Sequence, residues 1–153
     1  MPLKRCRVDP FRCLLCCLGA DNTMIGILII SHGNLGESLV ESANHVMGKK
    51  LPDLAHIAIH PQDDPDVILS KAVESVRELD SGEGALVLSD ICGATPCNIA
   101  TRLAASTERV ICLAGVNLPM LVRALTYRAE PLESVAEKAL AGGRDGIFRI
   151  SPG

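Results

Sequence analysis

"LIISHGNLGESL" spans Leu28 to Leu39 and decides how the rest of the chain is read. Three apolar residues, two of them β-branched, form a short run, which suits a strand buried on both faces. A histidine then stands where the chain turns, between that run and a stretch with helical periodicity. Leu35, Leu39, Val40, Ala43, Val46 and Met47 recur at the spacing of one helix face, and Gly48 supplies a stop. An ionisable imidazole at the mouth of a buried strand, flanked by Gly33 and Gly36, asks for a chemical reason.

The same strand-then-helix unit repeats along the chain. "LAHIAI" (Leu54–Ile59) reads as a second strand, and Asp64 followed by Pro65 as the cap and first turn of a second helix. Ile68, Ala72, Val76 and Leu79 form that helix's apolar stripe. "ALVLS" (Ala85–Ser89) is a third strand, and Thr95–Pro96 repeats the cap-plus-proline signal. "RVICLAG" (Arg109–Gly115) is a fourth, with Asn117 and Pro119 opening the next helix. A last helix, Leu132–Leu140, is expected to stop at Gly142–Gly143, leaving "GIFRI" (Gly146–Ile150) as a fifth strand. Alternating strands and helices joined by short links imply a doubly wound α/β domain with a parallel sheet.

Composition narrows the function. The 153 residues suffice for one domain with its own core, and 48% hydrophobic against 22% charged residues describes a globular chain. Aromatic residues make up 2% and the net charge is −3, so neither stacking platforms nor a basic footprint for nucleic acid is present. Four of the seven cysteines fall in the first 17 residues, an odd and irregular set that does not form a secreted disulfide framework. Cys13 and Cys16 make a CxxC, but no second pair follows at zinc-site distance, so no metal is expected. The segment 1–23 is basic and then briefly apolar. Arg12 interrupts it, and the remaining apolar run, Cys13 to Leu18, is far shorter than the roughly 20 apolar residues that span a bilayer. It is expected to be an extension preceding a domain of residues 24–153.

In doubly wound folds, ligands bind beyond the carboxyl ends of the strands. His32 after the first strand and Asp90 after the third both reach that edge. Gly33 and Gly36 lie on one loop and Gly93 and Thr95 on the other, where helix-start amides favour anions. An imidazole, a carboxylate to orient it and a nest of amides describe a phosphorylated or general-base histidine. His60, at the end of the second strand, is a reserve candidate. His45 and His56 fall within a helix and a strand. Cys92 and Cys97 flank the Asp90 loop and read as small packing residues rather than thiol nucleophiles, since no cation is placed to stabilise a thiolate. Neither a Walker loop nor a dinucleotide fingerprint is present, and no cofactor is implied.

Three segments, taken in order, form a specific combination: "ILIISHGNLGESL" around His32, "GALVLSDICGATPCNIA" from Gly84 to Ala100, and "LAGVNLPMLVRAL" from Leu113 to Leu125. Through them the chain resembles the IIA component of the mannose-type bacterial sugar phosphotransferase system, from about Met24 to Ile150. The resemblance implies a phosphotransferase component in which His32 takes a phosphoryl group from the carrier protein HPr and passes it to a IIB component. It implies that Asp90 hydrogen-bonds the ring Nδ1 and leaves Nε2 to carry phosphate, with Gly33, Gly93 and Thr95 around the phosphoryl group. It further implies a cytoplasmic homodimer, with the C-terminal strand exchanged as an antiparallel edge of the partner's four-stranded sheet. The membrane would be reached only through the IIC/IID transporter. Two family features are missing, a large aromatic near Cys92 and another where Asn34 stands. A regulatory protein whose phosphorylation state is read by a partner, without sugar transport, is the alternative; a small-molecule enzyme using His32 as general base is a third reading.

Overall fold

The computed structural model describes residues 23–151. Its elements run β1 (Gly26–His32), α1 (Leu35–Met47), β2 (Leu54–Ile59), α2 (Pro65–Leu79), β3 (Ala85–Ser89), α3 (Thr95–Ser106), β4 (Val110–Ala114), α4 (Leu118–Tyr127) and α5 (Leu132–Asp145). The four strands form one parallel sheet in the order β2-β1-β3-β4. The chain leaves β1 toward one edge and returns past it to build the other. The strand order therefore reverses between β1 and β3, and this switch point is where such folds open a crevice.

Strand β1 divides the interior. Ile25, Ile27 and Ile29 pack on one face with Ala43 of α1, Leu121 and Ala124 of α4, and Val135 and Ala139 of α5. Leu28 and Ile30 pack on the other with Ile68, Ala72 and Val76 of α2 and Ile99 and Leu103 of α3. Ile25, which leads into β1, and these four β1 side chains are fully buried. At about 1.5–3 kcal/mol for each large aliphatic side chain removed from water, that run accounts for the missing alternation in the sequence.

Local capping follows the sequence closely at three helices. Asp64 Oδ1 accepts the Asp66 N–H at 2.9 Å with Pro65 in the first turn of α2, and Asn117 Oδ1 accepts the Met120 N–H at 2.9 Å at the start of α4. Gly48 closes α1 in the left-handed region at φ +69°. At α3 the expected cap is displaced. Ala94 is the N-cap, while Thr95 is already the first helical residue and makes no capping bond.

The C-terminal region corrects two expectations. Gly142 and Gly143 do not end the last helix, which continues to Asp145. They sit buried within it because α4 comes too close for any side chain. A Cβ at Gly142 would lie 2.6 Å from Arg123 Cβ, and one at Gly143 would lie 2.9 Å from Met120 Cε. The fifth strand is also absent among the described residues of the single chain. Gly146 N–H closes the helix on Gly142 O, and residues 147–151 join no strand ladder. Ile147, Phe148 and Ile150 stand 75%, 74% and 83% exposed. The expectations for Cys13, Cys16 and nearly all of 1–23 lie outside the described residues. No helix among the described residues is long and apolar enough to cross a membrane.

If the two glycines merely occupied an uncrowded stretch of the helix interior, alanine would stabilise the position by about 1 kcal/mol through its higher helix propensity. Close packing reverses the sign. Overpacking against the Arg123 stem should cost about 1–3 kcal/mol and outweigh that gain. Gly142→Ala is therefore expected to lower the melting temperature, as thermal denaturation followed by circular dichroism will show.

Candidate functional site

Strand β1 outruns β3 at the carboxyl edge. Ile30 pairs with Ser89, the last residue of β3, so Ser31 and His32 project beyond it. On the β3 side the His32 N–H therefore meets no strand carbonyl. Asp90, the next residue, supplies the acceptor instead: its Oδ2 takes the His32 N–H at 2.8 Å. The following amide points the opposite way, as the alternation of a parallel ladder requires, and Gly33 N–H donates to Ile59 O of β2 at 3.0 Å. Side-chain and main-chain acceptors thus continue the sheet by one residue on each flank.

The same Asp90 oxygen lies 2.7 Å from His32 Nδ1, while Oδ1 accepts the Ile91 N–H at 2.8 Å. An ionised carboxylate only accepts, so Nδ1 carries the proton and Nε2 holds the lone pair. The Asp90 side chain is nearly buried, at 9% exposure, and that of His32 is 53% exposed. Burial pushes the Asp90 carboxyl up from its ordinary 3.8. The His32 N–H, the imidazole and the Ile91 N–H together outweigh burial and hold it below that value.

A residue with no signal in local spacing completes the turn. Ser31 is fully buried, and its Oγ accepts the Gly36 N–H at 2.8 Å. Asn34, the formal N-cap of α1, makes no side-chain capping bond. The cap of α1 therefore comes from the strand before the turn, five residues back, beyond the reach of the usual cap spacing. Only glycine fits at position 36, since a Cβ there would lie 2.9 Å from that Oγ.

His32 and Thr95 line one cavity of about 360 Å³, together with Ile59, His60, Asp63 and two prolines. Thr95 is exposed at the start of α3, where the first amides of the helix have no intrahelical acceptor. Gly93 lies on the loop between Asp90 and α3 with φ +84°, and it is not in the cavity wall. Gly33, at φ +50°, shapes the turn while its amide is committed to Ile59. His45 and His56 are exposed and lie away from the cavity lining. Cys92 is exposed rather than packed, because it follows Ile91 on the outer loop, whereas Cys97 is half-buried. Cys112 donates to Ala100 O, and burial, with Cys97 nearby, pushes its thiol up to about 11. Among the described residues, no three histidine, cysteine or acidic side chains gather as metal ligands.

Residues 26–140 match the protein family described as the PTS system fructose IIA component, EIIA-man. The chain is 30% identical over 125 residues to the mannose-specific EIIAB component of Escherichia coli K12, a match that spans 80% of this chain and 38% of that protein. It is also 30% identical over 105 residues to the fructose-specific EIIA component of Bacillus subtilis 168, covering 69% of this chain and 71% of the relative. Among solved structures, the mannose/sorbose-specific IIA subunit from Enterococcus faecalis shares the fold. Its TM-score is 0.76 at 24% identity, covering 85% of this chain and 97% of that one.

A carboxyl held below its unfolded value contributes stability above that value and loses it as the pH falls toward the folded one. Asp90 should follow this course, and Asn at that position cannot. The stability gap between wild type and Asp90→Asn is thus expected to be full above about pH 4 and to shrink below it. Urea unfolding at neutral and acid pH measures that gap.

Proposed function

Because the chain belongs to the family of mannose-type IIA components of the phosphotransferase system, we propose that His32 carries a phosphoryl group from HPr to a IIB component during sugar uptake. The observation that carries this reading is the 2.7 Å contact between His32 Nδ1 and Asp90 Oδ2 at the switch point of the sheet. In the forward step the Nε2 lone pair attacks phosphorus as the bond from phosphorus to the donor histidine breaks. The Nδ1 proton stays on its nitrogen, and the ring gains positive character opposite a carboxylate already in place. The second step reverses these roles toward the IIB nucleophile. No cofactor is needed, since each bond formed replaces one of the same kind.

Thr95 and the free amides at the start of α3 suit the equatorial oxygens of the phosphoryl group. Gly93 lets the preceding loop turn toward them, and Gly33 holds the backbone conformation of the His32 turn rather than donating. Leu35 and Ile91 are 45% and 58% exposed and sit one residue from the two positions where the family's aromatic residues are missing. They offer apolar area for docking HPr and IIB on either side of His32. Such transfer belongs in the cytoplasm, and the membrane enters only through the IIC/IID transporter that IIB serves.

Assembly follows from the two ends of the sheet. All five residues of β4 are only half-buried, which marks an uncovered edge. The exposed apolar tail at Ile147, Phe148 and Ile150 is the material to cover a second copy's edge as an antiparallel strand. Exchange in both directions would close a twofold dimer.

Incubation with phosphoenolpyruvate, enzyme I and HPr should label wild type with acid-labile, base-stable phosphate, and His32→Ala should remove the label while the fold survives. Labelling of His32→Ala equal to wild type would move the site. Asp90→Asn should slow transfer on the order of a hundredfold or more through loss of the tautomer and counter-charge. Removing the residues from Ile147 onward, which spares α5, should convert a dimer to monomer or aggregate. Light scattering that still reports a stable dimer would place the interface elsewhere.

A further inference from the structure

The wall of the His32 cavity has an unusual charge balance for a site meant to receive phosphate. A phosphoryl group on a side chain carries close to two negative charges at neutral pH. Behind His32 stands the ionised Asp90, and Asp63 contributes a second carboxylate to the lining. Neither lysine nor arginine lines the cavity. The nearby Arg102 pairs with Asp66 at 2.7 Å. Apart from His32 itself, His60 is the one lining group that can become cationic.

His60 is held at that wall by the sheet. Ile59 is the register partner of His32 and its carbonyl accepts the Gly33 N–H, so His60 leaves β2 directly beside the turn. Its own N–H donates to Asp63 Oδ2 at 2.7 Å, which fixes the loop into α2. The ionisable groups about it are Asp63 on its loop, Asp64 and Asp66 at the start of α2, His32 at the end of β1 with Asp90 behind it, and Cys97 in the first turn of α3. All but the histidines, the thiol and the Arg102 that pairs with Asp66 are acidic.

We propose that His60 is a phosphate-binding residue whose imidazolium is the counter-ion of the phosphoryl group on His32. The proposal rests on the phosphotransfer reading of His32 and adds a second histidine to it. Imidazole changes charge between pH 5 and 8, so phosphoryl acceptance becomes dependent on pH near neutrality. Above that range the dianion faces two carboxylates with amide dipoles and a hydroxyl alone. Acceptance then slows even though His32 and Asp90 are intact.

The test compares wild type, His60→Gln and His60→Lys in transfer from phosphorylated HPr between pH 5.5 and 8.5. Ratios between variants cancel the titration of HPr. Wild type should outpace His60→Gln about tenfold at pH 6 and match it within about twofold at pH 8.5, the low-pH advantage being one unit of counter-charge. His60→Lys should keep the low-pH rate across the range, which loss of packing would not produce. A ratio to His60→Gln that stays near one at every pH overturns the proposal. A second arm titrates sulfate, whose charge is constant over this range, into the unphosphorylated protein and follows the histidine resonances. Sulfate should bind wild type several-fold more tightly at pH 6 than at pH 8, and His60→Gln should keep only the smaller dependence that His32 contributes; a dependence in His60→Gln equal to that of wild type overturns the proposal. Binding to wild type that ignores pH counts against His60. Failure of His32 to accept any label counts instead against phosphotransfer, and the sulfate arm still decides whether His60 binds anions.

Discussion

Strand β1 is hydrogen-bonded on both sides, and the lengths of its two neighbours determine what can happen at its end. Because β3 stops at Ser89 while β1 continues to His32, one main-chain donor is left at the sheet's edge without a strand carbonyl. A carboxylate from the next residue of the β3 loop takes that donor and the imidazole together. Structural necessity and chemical orientation thus fall on a single oxygen of Asp90. Ser31 and the Ile59 carbonyl fix the turn from its other sides, so the imidazole is placed by backbone, strand pairing and helix cap at once.

The sequence disclosed those parts of the fold that local chemistry controls. Leu54–Ile59 and Ala85–Ser89 are bounded as read, since short, mostly apolar runs meet turn residues at both ends. The Asp64–Pro65 start of α2 and the Gly48 stop of α1 are equally local, as each depends on a residue's own backbone and side chain. His32 and Asp90 could be brought to one edge because parallel topology puts every strand's carboxyl end on the same side. What escaped was set by partners distant in sequence. A glycine that ends a helix and one that admits a neighbouring helix look alike, and only the 2.6 Å approach to Arg123 tells them apart at Gly142. Ser31 as a cap was hidden by its five-residue separation from Gly36, and His60 could be kept in reserve but not placed against His32. The tail's apolar alternation reads as a strand, yet a strand exists only where an edge is there to meet it.

The helices divide their work between the two faces of the sheet. On one side α2 and α3 open toward the switch point and lend their first residues to the cavity. On the other, α4 and α5 press together along buried glycines and carry the chain to its exposed end. The candidate chemistry and the candidate assembly surface therefore draw on different packing. Substitutions that loosen the α4–α5 contact act directly on the tail, and reach the imidazole only through the face of β1 that packs on those helices.

Holding the imidazole so firmly before any partner arrives has a consequence for how the protein spends its time. A side chain already confined to one tautomer and orientation has little rotational freedom left to surrender in a collision complex. In the transfer proposed for His32, the slow part of exchange would then shift from arranging the reacting atoms to finding the right faces. Encounter of this kind is governed by surface charge and by ionic strength, through the screening of acidic groups such as Asp63 and Asp64 around the opening. In the proposed transfer through His32, ionic strength would weigh on the rate of exchange more than temperature-driven loosening of the turn.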